Sequence, residues 1–412
     1  MTKTKKHLLV ISQYFHPETF RINDMASEWV RRGYKVTVLT GIPNYPMGKF
    51  FPGYSWTKHR REEWNGMDII RIPLIARGQN SLGMVANYLS FVASGWLWNI
   101  FNKVKADLVF SFEVSPMTQV KVGCGYAKKH KVPHFVYVQD LWPNNVISVT
   151  GIHNPLIIKP IDRMVDKIYK QADKIFVPSP SFVEAILNRE VKVAPEKVHY
   201  WPQYAEDFYR PLERQKINSI PEDDNFKIAF TGNIGYAQGL EILPKVASLL
   251  KDKKVKFIIV GDGRYQSEFE KQIEALSVKD KFIMIPRKPA EEIPEILSAC
   301  DAGFISFSGG QLGGEVLWEK TIPAKLQSYM ACGKAIIASA SGETQRVIRE
   351  ADCGICSRLG DAEELAQGIL KLIQSDHVAM GQSARKYFES HFNKKDLMDE
   401  MDKFIEEFTN RK

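Results

Sequence analysis

Between Lys6 and Thr40 the chain sets down an apolar run (Leu8, Leu9, Val10, Ile11), a loop, an amphipathic segment from Asn23 to Gly33, and a second run, KVTVLT. A strand, a crossover helix and a strand in so short a span make parallel neighbours of one sheet. The order returns from Phe226: the strand FKIAFT, the glycine-rich turn GNIGYAQG, the helix LEILPKVASLL and the strand KFIIV with its GDG turn. A chain of 412 residues is also too long for one core. The expectation is α/β: two doubly wound parallel-sheet, Rossmann-like domains facing a cleft. Residues 1–205 make the first domain and 206–386 the second. The polar run Arg210–Asn225 is the connection, and a C-terminal helix, about 387–412, rejoins the first domain. Ligands of such sheets sit at the carboxyl ends of the strands. In the first domain those ends carry the loops Tyr14–Asn23 and Gly41–Gly53.

The stretch TIPAKLQSYMACGKAIIA (Thr321–Ala338) carries the strongest binding signal. Pro323 suits a first helical turn, where its missing N–H costs nothing. Ala324–Cys332 is then a short helix, Gly333 its stop, and Ala335–Ala338 a buried strand. A helix beginning at the mouth of a sheet offers free N–H groups and a positive dipole end to an anion, and Lys325 adds a full charge there. SGGQLGG (Ser308–Gly314) precedes it as a loop able to approach a ligand. An ordinary strand–helix unit with a glycine-rich surface loop is the alternative. In the first domain, the strand HFVYVQ delivers Asp140 into DLWPNN, where its carboxylate either takes part in chemistry or caps the following helix.

The net charge of +8 is uneven: residues 1–205 hold 27 Lys and Arg against 15 Asp and Glu, the remainder 29 against 33. A basic first half seeks an anionic partner. Its cations lie in short clusters (Arg31, Arg32 and Lys35; Lys128, Lys129 and Lys131) with no nucleic-acid motif, which favours an anionic membrane surface over nucleic acid. Gly78–Asn102 has no charged residue but is interrupted by Asn87, Ser90, Ser94 and Asn99. It reads as an interfacial helix or a buried one rather than a span. The five cysteines are odd in number and scattered, Cys353 and Cys356 form a lone C-x-x-C, and no secretion signal opens the sequence, so a cytoplasmic chain with reduced thiols is expected.

Four features in order, VTVLTGIPNYP, QDLWP, TGNIGYAQGLE with VGDG, and PAKLQSYMACGKAIIAS, make nearly the whole chain resemble a family 4 glycosyltransferase of the GT-B fold. Within that group it is similar to the WbuB-like transferases of O-antigen and capsule synthesis. The resemblance implies transfer of N-acetyl-L-fucosamine or a similar sugar from a UDP-sugar to a polyprenyl-diphosphate-linked saccharide, at the inner face of the cell membrane. It also implies no metal, no cofactor and retention of anomeric configuration. No D-x-D pair for a divalent cation stands in the sequence.

The implied donor site gathers Gly232, Asn233, Gly235, Gln238, Gly261, Arg264, Arg287, Glu319, Pro323, Lys325, Gln327 and Ser328. Departures are marked. The family's diphosphate-gripping Arg and Lys align with neutral Asn233 and Gln238. Its ribose-binding Glu aligns with Ser328, and the partner Glu with Lys320. Lys325, Arg264 and Arg287 are the expected replacements, with Glu315 or Glu319 on sugar hydroxyls. For the acceptor, Asp140 is the expected orienting group or base and His16 the second choice. Arg21, Glu113, Asn44 and Tyr45 line its approach. Two other readings stay open: a nucleotide-sugar epimerase of this fold, and an inactive assembly partner that has lost the family's charges.

Overall fold

The computed structural model describes residues 6–78, 80–308 and 318–410, except the side chains at 148 and 149. The first sheet has eight strands, in spatial order Arg61–Trp64, Met67–Ile72, Lys35–Gly41, His7–Ile11, Leu108–Glu113, His134–Val138, Lys174–Val177 and Val198–Tyr200. The second has six: Phe282–Ile285, Val255–Val260, Phe226–Thr231, Ala302–Ser306, Ala335–Ser339 and Gly354–Ser357. Neighbours are parallel throughout except Arg61–Trp64, which turns back antiparallel on Met67–Ile72. The sequence reading missed this edge hairpin. REEW alternates partly exposed with exposed residues and so lacks the apolar run that marks the central strands.

Strand order reverses between His7–Ile11 and Leu108–Glu113 in one sheet, and between Phe226–Thr231 and Ala302–Ser306 in the other. Each reversal opens a crevice at the carboxyl ends, so the two switch points fix where ligands can enter. The domains are joined across their boundary by hydrogen bonds. Ser179 Oγ donates to the Lys320 carbonyl at 2.6 Å. The Ser181 N–H and hydroxyl donate to Glu343 at 2.8 and 2.6 Å. A cavity of about 290 Å³ lies there, lined by residues of both domains that include Trp142, Asn144, Arg189 and Lys320.

The last helix, Lys394–Asn410, packs on the first domain. Leu397, Met398, Met401 and Ile405 are buried in one cluster with Trp29 and Trp201, and the Trp201 indole N–H donates to the Leu397 carbonyl at 2.9 Å. Arg32 holds Asp399 and Asp402 at 2.6 and 2.9 Å from the other side. The sequence reading set this helix from about residue 387. The His377–His391 helix still packs on the second domain through Ala384 and Phe388, so the crossover falls at Phe392 and Asn393.

Gly78–Asn102 contains one helix, Ser81–Phe101. Asn87, Phe91, Gly95 and Asn99 are buried on one side, while Leu82 and Phe101 are 82% and 78% exposed on the other. Lys129 donates to the carbonyls of Asn99 and Ile100, a cation at the negative end of the helix. Among the described residues no helix is long and apolar enough to cross a membrane.

Candidate active site

At the second-domain switch point the walls are backbone. Gly261 has φ +143°, and a Cβ there would stand 1.9 Å from the Gly232 carbonyl oxygen. Gly239, at φ +61°, is likewise pressed on the Phe307 carbonyl, where a Cβ would stand 2.3 Å from the oxygen. Only glycine lets these turns close, and closing them brings main-chain N–H groups to the mouth of the sheet. Gly235 and Asn233 lie on the same turn. The Ala324–Ala331 helix starts beside it, with Pro323 at its N-cap rather than inside its first turn. Lys325 reaches from that helix to the turn: its Nζ donates to the Gln238 side-chain oxygen and sits 4.9 Å from the centre of the Phe230 ring. Burial lowers the Lys325 pKa to about 8, and no carboxylate pairs with it among the described residues.

The other expected donor residues divide. Arg264 is exposed at the GDG turn. Arg287 is exposed and lies 3.5 Å from Asp262 of that turn, so it neutralises the turn's own carboxylate. Glu319 accepts from the Ser341 hydroxyl at 3.3 Å. The Ser328 hydroxyl donates back to the Ala324 carbonyl at 3.1 Å. Gln327 is fully buried, and among the described residues neither amide atom has a hydrogen-bond partner, an arrangement that costs free energy unless a partner is supplied. Glu315 and most of SGGQLGG lie outside the described residues.

The first-domain mouth is built from side chains. Asp140 is partly exposed, and its Oδ2 accepts the Ser115 N–H at 2.6 Å. Glu113 lies beneath it, fully buried, with Oε2 accepting the N–H groups of Gln139 and Asp140 at 3.2 Å each. Burial first, and then the Asp140 charge, push the Glu113 pKa well up. Glu113 therefore supports the Asp140 loop from below, and its expected contact with an acceptor is corrected. Asn44 is corrected likewise. It is fully buried, and its carbonyl oxygen accepts the Arg77 N–H at 2.9 Å while its amide donates to the Ile42 carbonyl at 2.8 Å. Arg21 is bound to Glu206 and lies 5.5 Å from the centre of the Tyr204 ring. It holds the inter-domain segment rather than lining an approach. His16 stacks on Trp64 at 4.3 Å, its carbonyl accepts from Arg71 at 2.8 Å, and burial lowers its pKa. Its neighbours belong to the edge hairpin, not to the Asp140 loop. Tyr45, at 36% exposure, lies against the Tyr14 and Phe20 rings at 5.5 and 5.4 Å.

Two groups escaped the sequence reading. Glu18 is buried, and its oxygens accept the N–H groups of Asn44, Tyr45 and Phe15 at 2.7, 2.6 and 3.2 Å. One carboxylate thus ties the two mouth loops together, and burial pushes its pKa up to about 7. Arg77 sits over the Tyr45 ring at 5.4 Å with Tyr14 and Tyr88 beside it. Tyr88 also feels the charge of Asp140. No local motif marks these residues, which are far apart in sequence.

Comparison with known proteins gives the fold and the family. The chain is 27% identical over 264 residues to an uncharacterized glycosyltransferase of Methanocaldococcus jannaschii, a match that covers 60% of this chain and 62% of that protein. It is 23% identical over 410 residues to the putative colanic acid biosynthesis glycosyl transferase WcaI of Escherichia coli, covering 95% and 97%. In structure it resembles the sucrose-phosphate synthase of Thermosynechococcus elongatus, with a TM-score of 0.76 at 16% identity over 99% of this chain and 100% of the other. The Anabaena protein HepE in complex with UDP superposes with a TM-score of 0.70 at 15% identity over 98% and 100%. Residues 19–203 match the glycosyl transferase 4-like domain and residues 212–387 the glycosyl transferases group 1 family. The first domain therefore belongs to the glycosyl transferase 4-like family and the second to the glycosyl transferases group 1 family, in this order on a GT-B fold.

Proposed function

We propose that this protein transfers a sugar from a UDP-sugar to a lipid-linked saccharide during synthesis of a bacterial surface polysaccharide, at the inner face of the membrane, without a metal and with retention. N-acetyl-L-fucosamine is the proposed donor sugar, on the resemblance to the WbuB-like group. The observation that carries the reading is Lys325 standing against Gln238, where the family has its own cation. A charge lost from one turn is replaced from a neighbouring helix. With the diphosphate between the Gly232–Gly239 turn and Lys325, main-chain N–H groups and one ammonium would stabilise the charge that develops on the leaving group. Asp140, projecting from the opposite domain, would orient the acceptor hydroxyl or take its proton. HepE with bound UDP and the colanic acid enzyme support the nucleotide and the pathway class.

The membrane side of the proposal rests on charge and exposure. The Ser81–Phe101 helix packs beside Val120–His130, which packs beside Pro155–Gln171. That layer shows outward Leu82, Trp96, Phe101 and Leu156 together with Lys103, Lys121, Lys128 and Lys159. Its acids Asp162 and Asp166 are held by Arg189. Apolar side chains among cations with no carboxylate partner among the described residues fit an anionic bilayer.

Thermal shift with UDP, with and without EDTA, tests the donor site: a rise in Tm that survives EDTA is expected, and no rise with any nucleotide contradicts it. Turnover that needs a lipid-linked acceptor separates transfer from epimerisation. Co-sedimentation with phosphatidylglycerol vesicles but not phosphatidylcholine vesicles, weakened by W96A/F101A, tests the surface. Equal binding to both lipids would overturn the electrostatic part.

A further inference from the structure

The Arg77 guanidinium is mostly withdrawn from solvent and has no carboxylate within ion-pair distance among the described residues. Its contacts are aromatic and neutral: the Tyr45 ring at 5.4 Å and the Met84 sulfur at 3.4 Å, with Tyr14 and Tyr88 alongside. Tyr14 is 2% exposed, and its hydroxyl lies beside both the Arg77 guanidinium and the Tyr88 side chain, outside good hydrogen-bond geometry among the described residues. Neighbouring acids are otherwise employed. Glu18 is spent on backbone N–H groups of the mouth loops, and Asp140, whose charge reaches Tyr88, accepts from Ser115. A largely buried cation with no counter-ion among the described residues, facing two tyrosine hydroxyls, is a costly arrangement for the empty site and a favourable one for an incoming oxyanion.

Its place in the fold says which oxyanion. Arg77 ends the segment after the Met67–Ile72 strand, at the carboxyl side of the sheet, and the Ser81–Phe101 helix begins four residues later. The first turns of that helix expose Leu82, Val85 and Leu89. An anion at Arg77 therefore shares Tyr88 as a neighbour with the Asp140 carboxylate and has an apolar ridge leading away. We propose that Arg77, with the hydroxyls of Tyr14 and Tyr88, is the binding site for the phosphate group nearest the sugar of a prenyl-linked acceptor, with the isoprenoid chain leaving along Leu82, Val85 and Leu89. Arg77 is a positioning residue here: it places the acceptor sugar against Asp140 and takes no part in bond making. The inference rests on the lipid-linked acceptor reading above and names the groups that would grip it.

The test uses the full chain saturated with UDP, so that the donor turn is filled, and calorimetric titration with geranyl diphosphate, geraniol and inorganic diphosphate. Geranyl diphosphate is expected to bind the wild type more tightly than either fragment, and R77Q to weaken it about tenfold or more. R77K should retain most of the affinity, and geraniol should be indifferent to both changes. Unchanged UDP affinity in R77Q reports an intact fold. Equal geranyl diphosphate affinity in R77Q and wild type overturns the proposal. So does inorganic diphosphate binding as tightly as geranyl diphosphate, which would mark a free-phosphate site. If the wild type binds geranyl diphosphate through Arg77 but never binds UDP, the acceptor site stands and the donor reading falls.

Discussion

The two mouths of the cleft are built from different materials. The second-domain mouth is main chain: glycines at positive φ pressed on neighbouring carbonyls, one helix start, and a single ammonium. The first-domain mouth is side chain: Asp140 above buried Glu113, Arg77 among tyrosines, and Glu18 knotting two loops. A main-chain site grips what every nucleoside diphosphate shares, and a side-chain site can be re-cut for each acceptor. On this account the second mouth is general and the first is particular.

The sharpest way to break that division is at Asp140. Asp140→Asn should lower kcat by about 100-fold or more while leaving UDP affinity unchanged, as loss of a positioned acid–base group does. His16→Ala should change kcat no more than a few-fold, because its ring is stacked on Trp64. Steady-state kinetics of the two variants decide it, and a reversed order would move the chemistry to the edge hairpin.

Next in size is Gly261→Ala. The added Cβ would meet the Gly232 carbonyl at 1.9 Å with φ at +143°. The two turns must part, at a cost of about 1–3 kcal/mol in strain, with donor KM rising more than acceptor KM. Retained donor KM would mean that the turns do not hold the diphosphate.

The difference between the mouths also sets what the sequence revealed. The second announced itself, because Gly232, Gly239, Gly261, Pro323 and Lys325 sit in short motifs whose backbone demands are local. In the first, Asp140 stood out as a carboxylate at a strand end. Arg77, Tyr14 and Tyr88 meet only after strands far apart in the chain have paired. Glu18 is one acid in a loop, and nothing local predicts that it accepts three backbone N–H groups. Arg21, Asn44 and Glu113 were misplaced for the converse reason: residue types that bind ligands also satisfy buried backbone and neighbouring charge.

The smallest expected effect concerns Glu18. Its pKa is raised to about 7 in the folded chain against an ordinary 4.5. The folded state therefore holds the proton more tightly than the unfolded one, so this group's contribution is fully present below about pH 4.5 and is lost as pH rises through about 7. Glu18→Gln should flatten stability between those limits, a change of about 3 kcal/mol at most. Denaturant unfolding at pH 5 and pH 8 reads it, and an unchanged slope would show that the carboxylate is ionised throughout.

Whether Lys325 supplies the cation for the donor diphosphate is read by titrating UDP and uridine into wild type and Lys325→Ala. UDP should bind the wild type about tenfold or more tightly than uridine, this margin should shrink as pH rises through about 8, where Lys325 loses its proton, and it should collapse in the variant. An equal margin in both proteins, or no UDP binding to the wild type, would contradict it.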